Sequence, residues 1–282
     1  MIEFDNVTKR YGKTLALDDF SLRLTAPGIY CLLGRNGAGK TTFLKALAGH
    51  ISTTEGVVTV DGHTVSMLAM PTNVHFVETT ADQFNISLLD LFKAAAALNP
   101  DFDAPAAHEA ASRFKLDTHK RYKQLSFGMK AMANTLLALY SGKDILLLDE
   151  PVLGFDPIMR RTFYDMLSQC CAGTTKTVIV STHIIDEIEK TAEKLIIIDK
   201  GKVILFCDMT EIDENAYNVT GPAEAVAAAT QGLRVLDDTK AGGFLSRNVF
   251  DKRISANNNL KISPLGLSDF FIALVDDDKE GE

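Results

Sequence analysis

The sequence predicts an α/β fold: a mostly parallel sheet wrapped by helices, with an N-terminal antiparallel β subdomain, a helical insert and a small C-terminal α+β extension. Three observations carry this. From Asp144 to Asp199, apolar runs of strand length alternate with segments of helical periodicity, the pattern of parallel strands joined by helical crossovers. Residues 2 to 33 read instead as successive short strands separated by turn residues. Between these regions a glycine-rich segment joins an apolar strand directly to a helix.

The first strands are expected at Ile2 to Val7, Leu15 to Leu24 and, after the Pro27-Gly28 turn, Ile29 to Leu33, an unbroken apolar run that reads as a buried strand. Thr41 to Ala48 follows as a helix, because Phe43, Leu44 and Leu47 recur at helical spacing. Strands at Gly56 to Val60 and Val74 to Val77 precede a helical insert of about 79–140, whose Leu88 to Leu98 and Ala104 to Phe114 are alanine-rich. Then come strand Ile145 to Leu148, helix Ile158 to Cys171, strand Thr177 to Val180, helix Ile184 to Ala192 and strand Leu195 to Asp199. A hairpin at Asp199-Lys200-Gly201-Lys202 leads into Val203 to Phe206. Beyond this the pattern is broken by Gly242-Gly243, Asn257-Asn258-Asn259 and Pro264. This places a boundary between residues 1–209 and 210–282. The second part has strand-like runs at Tyr217 to Gly221 and Leu233 to Leu236, a helix at Pro222 to Thr230 and another after Ser268.

Composition narrows the function. A net charge of −8 and an acidic run from Asp276 to Glu282 leave no overall basic field to attract a polyphosphate backbone, so nucleic acid is not expected as a partner. The four cysteines show no Cys-x-x-Cys spacing, which argues against a zinc site and for a reducing compartment. The N-terminal residues do not read as a signal peptide, and no apolar run reaches the roughly 18 residues of a membrane span. Any membrane role is expected to work through another protein.

Gly34-Arg35-Asn36-Gly37-Ala38-Gly39-Lys40-Thr41 fits G-x-x-x-x-G-K-[ST] and lies where that motif works, between a buried strand and a helix start. This is the hallmark of a P-loop NTPase core. The glycines let backbone N–H groups point inward, the helix N-terminus adds positive potential, and Lys40 supplies a cation for the β/γ-phosphates. The Thr41 hydroxyl would ligate Mg²⁺, and Thr42 completes the nucleotide-binding set. ATP and Mg²⁺ are the expected ligands.

Ile145-Leu146-Leu147-Leu148-Asp149-Glu150 places two carboxylates at the end of an apolar strand, where open α/β sheets bind ligands. Asp149 suits Mg²⁺, and Glu150, aimed differently, suits polarising a water. Without a phosphate loop the pair would read as a strand ending in solvated acids. His183 follows the apolar Thr177 to Thr182 and should emerge at the same edge, within reach of a γ-phosphate.

With these groups in place the chain resembles the ATP-binding cassette (ABC) ATPases over residues 2 to 206. The family's Leu-Ser-Gly-Gly-Gln signature is similar to Leu125-Ser126-Phe127-Gly128-Met129, here with Phe127 and Met129 in place of a glycine and the glutamine. By this resemblance Ser126 and Gly128 contact nucleotide bound by the opposite subunit, Tyr11 stacks on adenine and Asp156 touches the partner subunit. The resemblance further implies a dimer of ATPase subunits, homo or hetero, acting on separate integral membrane transporter subunits at the inner face of the cell membrane. The family's glutamine after the strand ending Phe76-Val77 has no exact counterpart. Glu78 is assigned its place near the metal, with Thr79 and Gln83 nearby. The signature is similar to Ser-x-Gly-Met-Lys variants of exporter-like systems, which implies export.

Two other readings are open at this level. A soluble cassette ATPase of the DNA-repair or translation class would share the nucleotide site, but usually carries a long coiled coil or a second cassette, and this sequence has neither. A weakly hydrolysing half of a heterodimer would suit the irregular signature, although Lys40, Asp149, Glu150 and His183 give each chemical role an occupant. In the transporter reading residues 79–124 form the docking surface, with Leu91, Phe92, Ala95 and Leu98 shared between that surface and the core.

Overall fold

The computed structural model describes residues 1–78, 85–255 and 259–276. Thr79, Gln83, Asn257, Asn258 and the acidic run beyond Asp276 lie outside the described residues. The chain divides into two compact units, Met1–Ala192 with Ile196–Leu205, and Glu193–Leu195 with Phe206–Glu282.

In the first unit, β1 (Ile2–Tyr11) and β2 (Thr14–Leu24) pair antiparallel, with Tyr11 opposite Thr14 beside the turn at Gly12. Their apolar residues face inward: Ile2, Phe4, Val7, Leu17, Phe20, Leu22 and Leu24 are all buried. β3 (Gly28–Leu33) is buried at every position, as its unbroken apolar sequence predicts. The phosphate-loop segment leads into α1 (Lys40–Leu47), whose Phe43 packs its ring against Phe4 and Phe20 at centroid distances of 4.8 and 5.3 Å. This aromatic cluster ties the helix to the antiparallel sheet. That sheet is completed by β4 (Glu55–Val60) and β5 (His63–Thr64), in the order β2-β1-β4-β5.

β6 (Val74–Glu78) precedes the insert. α2 (Leu88–Leu98) is capped by Ser87, whose hydroxyl accepts from Asp90 N, and α3 (Ala104–Arg113) by Asp103, which accepts from Ala106 N. After a single 3₁₀ turn at Tyr122–Gln124, α4 (Phe127–Leu139) starts at Ser126 and runs into the core beside β7 (Ile145–Asp149). Then follow α5 (Pro157–Cys171), capped by Asp156, and β8 (Thr177–Ser181). The helix expected at Ile184 to Ala192 is shorter: α6 spans only Ile185–Ile188. Thr191 N bonds back to Ile188 O, an i→i−3 closure that tightens the chain into a turn before the next strand.

β9 (Lys194–Asp199) and β10 (Lys202–Asp208) complete a six-stranded sheet in the order β10-β9-β3-β8-β7-β6, in which β3–β8, β8–β7 and β7–β6 are parallel. Register sets the site: Asp149 lies opposite Ser181 on one side and Glu78 on the other, and Leu32 lies opposite Ser181. The chain ends that follow β3, β7 and β8 therefore meet at one sheet edge.

The second unit contains α7 (Met209–Asn215), β11 (Ala216–Pro222), α8 (Ala223–Ala229), β12 (Val235–Ala241), β13 (Phe244–Phe250), β14 (Lys261–Pro264) and α9 (Leu267–Val275). Its four strands form an antiparallel sheet ordered β12-β13-β11-β14, with a core of Tyr217, Val219, Val226, Leu245, Val249 and Leu260. Sequence patterning located β11, α8, α9 and the start of β12, and missed the rest of the β12–β13 hairpin, whose polar residues Asp237, Asp238, Asn248 and Arg247 hide the strand alternation.

Candidate functional site

The phosphate loop is shaped by close backbone contacts. A Cβ at Gly34 would lie 2.4 Å from Ile198 O, and one at Gly39 would lie 2.5 Å from Ala16 O, so both positions admit only glycine at this spacing. Gly39 also holds φ +110°, and its carbonyl accepts from Phe43 N at the first turn of α1. Asn36 and Gly37 are exposed at the tip, whereas Ala38 is buried and its carbonyl accepts from Gly201 N. Loop and helix start thus form a concave backbone surface rich in N–H groups, suited to an anion.

Lys40 is buried, and its Nζ donates to Gly34 O at 2.6 Å and Arg35 O at 3.3 Å. Burial lowers its pKa, while the carboxylates of Glu150 and Asp149 work in the other direction. The Thr41 hydroxyl donates to Asp149 Oδ2 at 2.7 Å, with Asp149 only 8% exposed. Two hard oxygen ligands beside an anion-binding loop fit Mg²⁺, which takes one or two protein oxygens together with phosphate oxygens. Among the described residues no group of three His, Cys, Asp or Glu side chains could hold a metal by itself. Glu78 is adjacent to Asp149 in register, but its carboxylate pairs with Lys45 Nζ at 2.6 Å.

Glu150 sits at φ +50°, unusual for a residue with a side chain, and its N–H donates to Ser181 O at 2.9 Å. This turns the carboxylate away from the direction of Asp149. Its Oε2 lies 2.8 Å from His183 Nδ1. Burial raises the Glu150 pKa, opposed by the charge and hydrogen bond of His183 and by Lys40. The imidazole is exposed, so the pair opens toward solvent.

The variant signature also has a defined setting. Ser126 Oγ accepts from Met129 N at 3.3 Å, capping α4. A Cβ on Gly128 would lie 2.7 Å from Gly154 O, and one on Gly154, at φ +81°, would lie 2.7 Å from Phe127 Cδ1. The start of α4 is thus pressed onto the loop that follows Glu150. Asp156 ends this loop by accepting from Met159 N at 2.9 Å. Tyr11 lies apart at the end of β1, 47% exposed, with Lys9 Nζ 4.9 Å from its ring centroid. The structure therefore brings together Gly34 to Thr42, Asp149, Glu150 and His183. Sequence reading placed Gly201 in a hairpin without linking it to the phosphate loop, and saw Gly154 only as a neighbour of Asp156; the structure gives both a direct contact with site segments.

The profile of a family described as ABC transporter matches residues 17–153. The chain is 30% identical over 213 residues to an uncharacterised ABC transporter ATP-binding protein of Methanocaldococcus jannaschii, covering 75% of this chain and 79% of that one. It is 26% identical over 301 residues to the bacitracin transport ATP-binding protein of Enterococcus faecalis, covering 98% and 96%. The human glucosylceramide transporter matches at 33% identity over 216 residues, 71% of this chain, and the chain spans only 8% of that protein's length. In three dimensions a bacterial ABC transporter cassette solved as a dimer superposes with a TM-score of 0.65 at 22% identity, covering 74% of this chain and 99% of that one.

Proposed function

The chain belongs to the ABC transporter ATP-binding family, and from that premise we propose that it hydrolyses ATP as a dimer and drives separate membrane subunits, in the direction of export. The observation that carries hydrolysis is the Glu150–His183 contact of 2.8 Å at the same sheet edge as Lys40 and the Thr41–Asp149 pair.

In this reading the backbone of Gly37 to Thr41 and the Lys40 ammonium bind the β- and γ-phosphates, and Thr41 with Asp149 hold Mg²⁺. The bound metal supplies charge neutralisation on the phosphate oxygens. Glu150 Oε accepts a proton as water oxygen bonds to the γ-phosphorus and the bond to the bridging oxygen breaks, leaving ADP and phosphate. Its elevated proton affinity, a consequence of burial, suits that task. His183 orients the carboxylate through Nδ1 and presents its other face to the γ-phosphate. Ser126, Gly128 and Asp156 serve the opposite subunit's site, Tyr11 the adenine, and Glu78 the link between metal and membrane partner.

Among the described residues no helix is long and apolar enough to cross a membrane. A cleft of ≈ 840 Å³ beside α2, lined by Leu91, Ala95, Leu98, His75 and Lys143, supports docking of a membrane subunit, with Leu98 87% exposed and Leu91 in the core. The export direction and a place at the membrane's inner face rest on the family resemblance of the variant signature, and the bacitracin transport relative supports a transport role. That relative, matched over nearly the whole chain, also weighs against a DNA-repair or translation role.

Affinity purification of the tagged chain from detergent-solubilised membranes, with Mg-ATPase assayed in the same eluate, tests both parts. The expected result is a stoichiometric integral membrane partner and turnover reduced about 10²-fold or more in Glu150→Gln with ATP still bound. Undiminished turnover in that variant would remove Glu150 from its role, and recovery without any membrane protein would remove the transporter reading.

A further inference from the structure

His183 reaches Glu150 from a short segment between β8 and α6. On one side His183 is anchored to β8 through buried Thr182. On the other it is followed by α6, a single helical turn with no side-chain cap. One turn fixes too few hydrogen bonds to hold itself in place, so its orientation must come from tertiary contacts. Ile188 buries one side of it. The polar attachment is Glu187, whose Oε2 lies 3.1 Å from Arg160 Nε on α5, with side chains only 29% and 23% exposed. Both atoms are screened from solvent and lack the alignment of a hydrogen bond, so the attraction between them is that of two charges at close range. The Tyr164 hydroxyl, one turn further along α5, is buried near Thr182 and Glu187.

A cleft of ≈ 400 Å³ opens beside the pair, lined by Pro157, Arg161, Asp165 and Lys190. Arg160 also belongs to the first turn of α5, where its N–H donates to Asp156 O at 3.0 Å. Arg160 is thus tied by its backbone to the same residue whose side chain caps the helix through Met159 N.

We propose that Arg160 and Glu187 are positioning residues: their ion pair ties α6 to the Asp156 turn and thereby sets His183 against Glu150, so that a change at Asp156 alters turnover. This rests on the catalytic assignment of Glu150 and His183. Arg160 is suited to the part because its guanidinium stays charged and planar when partly buried. Loss of either partner leaves a screened charge unpaired and frees α6 to rotate into the cleft.

Single-turnover ATP hydrolysis of the full chain, with enzyme in excess, tests the link in Glu187→Gln, in His183→Ala, in the double variant of these, and in the charge-exchanged Arg160→Glu/Glu187→Arg. The expected result is a rate constant about tenfold to a hundredfold lower for Glu187→Gln, the scale of a small misplacement of a catalytic group, with little change in the enzyme concentration giving half-maximal rate. The charge exchange should recover most of the loss, and Glu187→Gln should add none on top of His183→Ala. Equal losses with and without His183, or a loss seen only as weakened ATP binding, would overturn the proposal. An undiminished rate in His183→Ala would instead remove the catalytic premise, an outcome told apart because it does not depend on Glu187. If Glu187→Gln does not fold by circular dichroism, Arg160→Lys takes its place in the same cycle.

Discussion

At Gly34 and Gly39 it is the missing side chain that matters, because a Cβ at either would overlap a backbone carbonyl that cannot rotate away. These close approaches bring the loop's N–H groups into a tight curve, and Lys40 is then buried beneath them. Burial acts on other groups of this unit in the same way. His75 on β6 is half-buried near Lys143, and both influences lower its pKa from 6.5, so the folded state prefers it neutral. The sign follows from linkage. The unfolded chain binds a proton more readily, so this stabilisation is fully present above the ordinary pKa and is lost as pH falls through about 6.5 toward the lower folded value. Thermal unfolding followed against pH should therefore show a shallower decline below about pH 6.5 for His75→Gln than for the parent chain. Identical slopes would mean that His75 is as free to protonate in the fold as out of it.

Among the elements, α4 and the loop after β7 depend on each other. Phe127 lies against Gly154, and Gly128 against the Gly154 carbonyl, so the capped start of α4 is seated by a glycine with positive φ. Gly154→Ala should destabilise the chain by about 1–3 kcal/mol, from backbone strain together with the collision at 2.7 Å. Phe127→Ala removes the ring that the new methyl would strike. Unfolding of the single and double variants in urea should therefore show coupling of about 0.5 kcal/mol or more, in the sense that the second substitution relieves the first. Simple additivity would show that strain at Gly154 is purely local. α6 is shorter than its sequence spacing predicts: the Ile188 carbonyl accepts from both Thr191 N and Ala192 N, closing a turn before β9.

For the molecule as a whole, the contact pattern separates two units, each with a core of its own. Leu245→Ala, at a position 2% exposed in the second core, should cost that unit about 2–5 kcal/mol. Amide exchange should rise along β11 and β13 while Leu32 on β3 and Phe43 on α1 keep their protection; exchange rising equally in both units would mean that they unfold as one. The amino-acid order by itself determined the strand–loop–helix of the phosphate site, the acidic end of β7 and the parallel architecture, because each is written in a short contiguous stretch whose glycines, charges or apolar period have one physical use. It also supplied Glu150 and His183 as candidates. Only the tertiary structure decided that they meet at 2.8 Å, that Glu78 pairs with Lys45, that Gly154 seats Phe127, and that Arg160 reaches Glu187. Those contacts join residues from different elements, and no local pattern encodes them: strand register and the angle at which α4, α5 and α6 pack fix each distance, and these arise when the whole core closes.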